Sequence, residues 1–75
     1  HLGDKARALE DVELALSLEP DLPDALIERG ILYEAADKRD LARKDWLRVL
    51  ELATNTPAGD EARRHLEALD VNKDK

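Results

Sequence analysis

The chain has no cysteine, no methionine and no phenylalanine, and a single tryptophan and a single tyrosine among its 75 residues. Without cysteine there can be no disulfide and no thiolate metal site. With 43% hydrophobic but only 3% aromatic residues, a core must be built from aliphatic side chains and alanine. That composition suits closely packed helices. Basic charge is also in short supply, with 12 Lys and Arg against 18 Asp and Glu for a net charge of −6. Nucleic-acid binding, which needs a basic footprint, is disfavoured, and so is an anionic membrane surface. No apolar run approaches the roughly 20 residues of a membrane span. No signal peptide is readable, and the chain opens on His1 rather than methionine. A trimmed fragment of a longer protein is therefore expected. The expected compartment is the cytoplasm, with the periplasm or secretion left open.

What is present is charge of both signs, 40% of the chain, which points to solvated helix faces. Period-two alternation is nearly absent, so strands are not expected. Four helical segments account for most residues. Helix 1 is expected over about Asp4 to Leu18, with Ala8, Leu9, Val12, Ala15 and Leu16 on one face. The segment EPDLPD ends it, because Pro20 and Pro23 disfavour helix in the residues before them. Helix 2 is expected over Pro23 to Ala36, with proline at the first helical position. Helix 3 runs from about Lys38 to Ala53, with Asp37 as its N-cap and Asp40 completing a capping-box-like pair. Its apolar face is Leu41, Ala42, Trp46, Val49 and Leu50. TNTPAGD breaks the chain again, and helix 4 follows over about Ala58 to Leu69, with Ala62, His65, Leu66 and Leu69 as a stripe. Short turns between helices imply antiparallel neighbours.

Helix 1 laid on helix 3 with an offset of 34 residues matches Ala8 to Ala42, Asp11 to Asp45, Val12 to Trp46, Ala15 to Val49, Leu16 to Leu50 and Leu18 to Leu52. Gly3 falls on Asp37, both at the expected turn before the helix. Small, large and aliphatic positions coincide in order, and a period of this length marks stacked helix-turn-helix units. With Leu26, Gly30 and Tyr33 in one helix and Ala42, Trp46 and Val49 in the next, the chain resembles the tetratricopeptide repeat (TPR) family. Ala8, Ala15 and Pro20 sit where that family places them in the preceding half-unit. Arg29 stands where the family usually has leucine, Val49 is larger than the usual alanine, and the closing proline comes three residues late at Pro57.

The resemblance implies an all-α, right-handed solenoid fragment of four helices in antiparallel hairpins. Residues 1–20 would be the second helix of a partial repeat, 21–54 a complete repeat, 55–70 a capping helix and 71–75 a polar tail. It further implies a concave groove, lined by the first helix of each unit, that binds a peptide or helix.

No constellation for catalysis is visible. Ser17 is the one serine, and nothing in the pattern converges it with His65 or the terminal His1. DKRDLARKD lacks the spacing and the central glycine of a calcium loop, so no metal or cofactor is expected. Trp46 and Tyr33 read as core. The groove positions on helix 2 are Asp24, Ile27, Ile31 and Glu34, at three- and four-residue steps. Two isoleucines edged by acids suit a protein or peptide partner with apolar and basic residues. They equally suit packing against helix 1 or helix 4. The acidic chaperone tails that some TPR domains hold through lysine and asparagine would be repelled here. A rival expectation is self-association into a homo-oligomer or scaffold through an uncovered apolar face of helix 1. A regulatory domain of a longer enzyme is a third.

Overall fold

The computed structural model describes residues 2–73, with side chains from 4 to 70. The fold is all-α, with helices α1 (Leu2–Leu18), α2 (Pro23–Ala35), α3 (Arg39–Leu52) and α4 (Pro57–Lys73), and among the described residues no strand. α1 begins two residues earlier than expected, so Gly3 lies within the helix and not in a turn. α4 starts one residue early, on Pro57, and runs on through 71–73, part of the expected polar tail. No glycine or proline interrupts VNK, so the helix has no reason to stop at Leu69. Residues 1, 74 and 75, which include His1, lie outside the described residues.

Proline fixes the start of two helices, because its missing N–H is one of those a helix start leaves unpaired anyway. Pro23 does this for α2. Pro57 does it for α4, where the Thr56 hydroxyl also accepts a hydrogen bond from the Gly59 N–H at 3.2 Å, as an N-cap does.

Asp37 is not the N-cap of α3. That position belongs to Lys38, which makes no side-chain capping bond. Asp37 instead closes α2 in the left-handed conformation, at φ 63°. Its N–H donates to the Glu34 carbonyl at 3.0 Å, and the Lys38 N–H donates to the Tyr33 carbonyl at 2.8 Å. These paired bonds are a Schellman closure, and aspartate is among the few non-glycine residues that enter this region readily.

α2 is the centre of the molecule and touches all three other helices, whereas α1 touches α2 alone among the described residues. α3 also packs on α4. Lys5, Ala6 and Leu9 near the start of α1 lie beside Leu32, Ala35 and Ala36 at the end of α2, so these two helices run antiparallel. α3 and α4 do likewise. Trp46 meets His65, and the earlier Arg43 meets the later Asp70. The principal extents are 31 × 29 × 17 Å, a thin dimension that holds two layers of helices at an ordinary 8–10 Å spacing.

The buried cluster joins Val12 and Leu16 of α1, Ala25, Leu26 and Ile27 of α2, Ala42, Trp46 and Val49 of α3, and Ala62 and Leu69 of α4. Trp46 is fully buried. Its indole Nε1–H donates to the Ile27 carbonyl at 3.4 Å, and its ring stacks on His65 with centroids 4.8 Å apart and planes 14° from parallel.

Gly30 is the reason the indole fits. A methyl group at that position would overlap Trp46 Nε1 and come within 2.7 Å of Cε2 and 2.8 Å of Cδ1. Glycine costs about 1 kcal/mol relative to alanine inside a helix, and the sequence accepts that cost to bring a full indole against the α2 backbone. Gly30→Leu is therefore expected to destabilise by about 1–3 kcal/mol through overpacking, despite leucine's better helix propensity. Urea denaturation measures it, and a stabilised variant would refute the packing argument.

Candidate partner-binding surface

α2 divides its circumference among its neighbours. Leu26, Gly30 and Tyr33 share the stripe that meets α3, and Leu32 with Ala36 borders α1. The remaining solvated stripe is Asp24, Glu28 and Ile31, all exposed and at steps of four and three residues, and the exposed Ala35 one turn on borders α1. Of the expected groove residues, Asp24 and Ile31 lie on this stripe, Ile31 being 40% exposed. Glu34 is half-buried beside it.

Ile27 does not lie on it. At 5% exposure it belongs to the core, and its carbonyl accepts the Trp46 indole N–H of α3. Helix periodicity alone cannot tell a stripe that faces a groove from one covered by the next helix but one, so the two isoleucines read as equivalent in sequence. Glu28 was the residue missed. It sits four after Asp24 and three before Ile31, on the same stripe.

On α4, His65 touches the same indole that packs against α2. It is half-buried against Trp46, with Nε2 3.5 Å from Glu61 Oε2 one turn earlier. Trp46 in turn bonds the backbone of α2, so the indole bridges α2 and α4. The surface is thus one exposed isoleucine among acids. Among the described residues no cation pairs with Asp24, Glu28 or Glu34, whereas Arg29, Arg39, Arg43, Arg48 and Arg63 each meet a carboxylate.

On the opposite flank of α2 a polar chain links three helices. Arg29 forks onto Asp45 of α3, with Nε donating to Oδ2 at 2.9 Å and Nη2 to Oδ1 at 2.8 Å. The Asp45 side chain is only 7% exposed. The guanidinium also lies 5.6 Å from the centroid of the Tyr33 ring, within cation–π range. The Tyr33 hydroxyl donates to Glu13 of α1 at 3.2 Å. The hydrogen bond to Asp45 raises the already high pKa of Arg29, so this cation is permanent. The role of Arg29 is explained by Asp45, a partner 16 residues away.

The pKa of Tyr33 is raised above its ordinary 10, first by burial and further by the bond to Glu13, against the opposing pull of Arg29. The chain has no other tyrosine, so an ultraviolet pH titration reads this group alone. Its midpoint is expected above 10 in the folded protein and near 10 in urea. Folding therefore holds the proton on, and the associated stability is present below about pH 10 and lost as pH rises through the folded pKa. Equal midpoints in both states would contradict the arrangement.

Among the described residues no group of three or more potential ligands is placed to hold a metal ion. None of the described helices is long and apolar enough to cross a membrane. Ser17 and His65 sit on α1 and α4, which do not touch.

In comparison with known proteins, 59 residues covering 79% of this chain are 41% identical to "Protein PHOX3" of Arabidopsis thaliana. The chain spans about 7% of the length of that relative. No protein-family model matches the chain, and no solved structure matches it.

Proposed function

We propose that this chain is a TPR-like protein-interaction module whose outer α2 surface binds a basic, amphipathic segment of a partner protein. The observation that carries the reading is the exposed Ile31 set among acids that have no cation of their own, while five arginines elsewhere are paired. Ile31 would seat an apolar anchor, and Asp24 and Glu28 would take lysine or arginine on either side of it. Support for the repeat assignment comes from the 34-residue offset together with the burial of Leu26, Gly30, Ala42, Trp46 and Val49. The reading gives the chain no chemistry of its own. Consistent with that, the Ser17 hydroxyl donates to the Leu14 carbonyl of its own helix, and the His65 ring is occupied by Trp46.

Selection from a displayed random-peptide library tests the proposal. Enriched peptides are expected to carry lysine or arginine beside an aliphatic residue. The double reversal Asp24→Lys/Glu28→Lys is expected to abolish their capture. Enrichment of acidic peptides, or capture that survives the reversal, would overturn it.

Self-association, the rival reading, has one specific observation in its favour. Leu14 and Leu18 of α1 are 63% and 77% exposed.

A further inference from the structure

The outer stripe of α2 has a counterpart on the outer face of α3. On α2, Asp24, Glu28 and Ile31 follow one another at steps of four and three residues. On α3, Arg48, Lys44 and Leu41 do the same when that helix is read backwards. All six residues are exposed. Two antiparallel helices laid face to face with Glu28 on Lys44 therefore set Asp24 on Arg48 and Ile31 on Leu41, at axial steps of about 6 and 4.5 Å on both. Two of these pairs are of opposite charge, and the third is apolar, with each member 40% exposed. A parallel alignment on the same central pair sets Asp24 on Asp40 instead, where like charges repel. The two stripes of one molecule cannot meet. α2 packs on α3 through the side that carries Leu26, Gly30 and Tyr33, opposite Asp24, Glu28 and Ile31.

Building on the reading of α2 as a partner-binding surface, we infer that its partner is a second copy of this chain, which presents Leu41, Lys44 and Arg48 of α3 to Ile31, Glu28 and Asp24. Charge complementarity selects this occupant. Among the described residues Lys44 pairs with no carboxylate, just as Glu28 pairs with no cation. Arg48 already holds Asp21 at 2.8 Å and Glu51 at 2.9 Å, through one N–H on each terminal nitrogen. Its other N–H groups are free to reach Asp24. With its own carboxylates beside it and 46% of its side chain exposed, Arg48 adds less than the central lysine. Both stripes belong to the two central helices of the fold. The two faces differ, so the contact is heterologous. Each copy meets one neighbour through α2 and another through α3, and association runs past a dimer into a larger ring or an open filament. Self-association through Leu14 and Leu18 of α1 is a separate contact, which uses neither stripe.

Sedimentation equilibrium tests the contact at concentrations up to about 1 mM, where an interface of a few residues per side associates. The average mass of the wild-type chain is expected to rise with concentration past that of a dimer. Asp24→Lys/Glu28→Lys removes the α2 face, and Leu41→Ser/Lys44→Ser removes the α3 face. All four positions are exposed, and unchanged circular dichroism spectra show that both variants fold. Each variant alone is expected to associate about tenfold more weakly than wild type. Mixed together, they are expected to form a one-to-one complex and nothing larger, because each supplies the face that the other lacks. A wild-type chain that stays monomeric at the highest concentration would overturn the inference. If a library-selected peptide still binds α2 in that case, the surface stands and only the identity of its partner falls. Association that survives either variant, or that fails to return in the mixture, would also overturn it. So would association abolished by Leu18→Asp alone, which would assign the contact to α1.

Discussion

Trp46→Ala is expected to cost about 3–5 kcal/mol, the range for deleting a large aromatic from a core. For a chain of 75 residues the total stability is of order 4–11 kcal/mol, so the variant should be largely unfolded at mild urea concentrations. The reason is positional as well as volumetric. Trp46 is fully buried and ties three helices at once, through the Gly30 notch and the Ile27 carbonyl on α2, its own place on α3, and the His65 ring on α4. A mutant cycle isolates the notch. In the wild-type background Gly30→Ala drives a methyl into the indole and destabilises. In the Trp46→Ala background the collision is gone, and the same change should be neutral or stabilising by up to about 1 kcal/mol, alanine's helix advantage. Additive effects of the two changes, read from denaturant midpoints, would show that glycine is there for another reason.

Arg29→Ala is expected to cost about 3 kcal/mol, because it strands Asp45 at 7% side-chain exposure without its two charge-assisted bonds. The size of the loss reflects the abandoned carboxylate more than the worth of the pair itself. Arg29→Ala/Asp45→Leu should therefore recover most of the stability, since an apolar side chain replaces the stranded charge on a flank already lined by Ala42 and Val49. Lysine is expected to be a poor substitute at position 29, because a point charge cannot satisfy both carboxylate oxygens in the forked geometry. Thermal unfolding of these three variants beside the wild type decides the matter. An Arg29→Ala protein as stable as wild type would mean that water satisfies Asp45 and the pair contributes nothing.

Much of this architecture was legible in the sequence because it rests on periodicity. Leu26 and Gly30 on one helix and Ala42, Trp46 and Val49 on the next are buried on the stripes that three- and four-residue steps mark out, and Tyr33 and Ala8 are half-buried. The features that escaped depend on contacts between elements distant in sequence. Asp11 and Asp45 stood out as equivalent, but only the fold shows that Asp45 holds Arg29 while Asp11 pairs with no cation among the described residues. Ile27 and Ile31 are four residues apart on neighbouring positions of one helix. The packing of the helices around α2 buries the first in the core cluster and leaves the second 40% exposed. Asp37 suited the start of α3 by residue type, yet the three-residue connection from α2 demands a left-handed residue there, and the aspartate serves that need. Ile27→Asp, which sequence alone would favour as a test of binding, would put a charge into the core and report on folding. Ile31 is the position that reports on the surface.

The central claim, that the outer α2 surface is where a partner binds, is tested most directly by calorimetric titration of a library-selected peptide into three proteins. Ile31→Ser removes the proposed anchor site, and Leu47→Ser removes a comparably exposed leucine, 47% against 40%, on α3. The account predicts affinity about tenfold weaker for Ile31→Ser and unchanged for Leu47→Ser. Wild-type affinity in the Ile31→Ser protein, or a loss confined to Leu47→Ser, would contradict it.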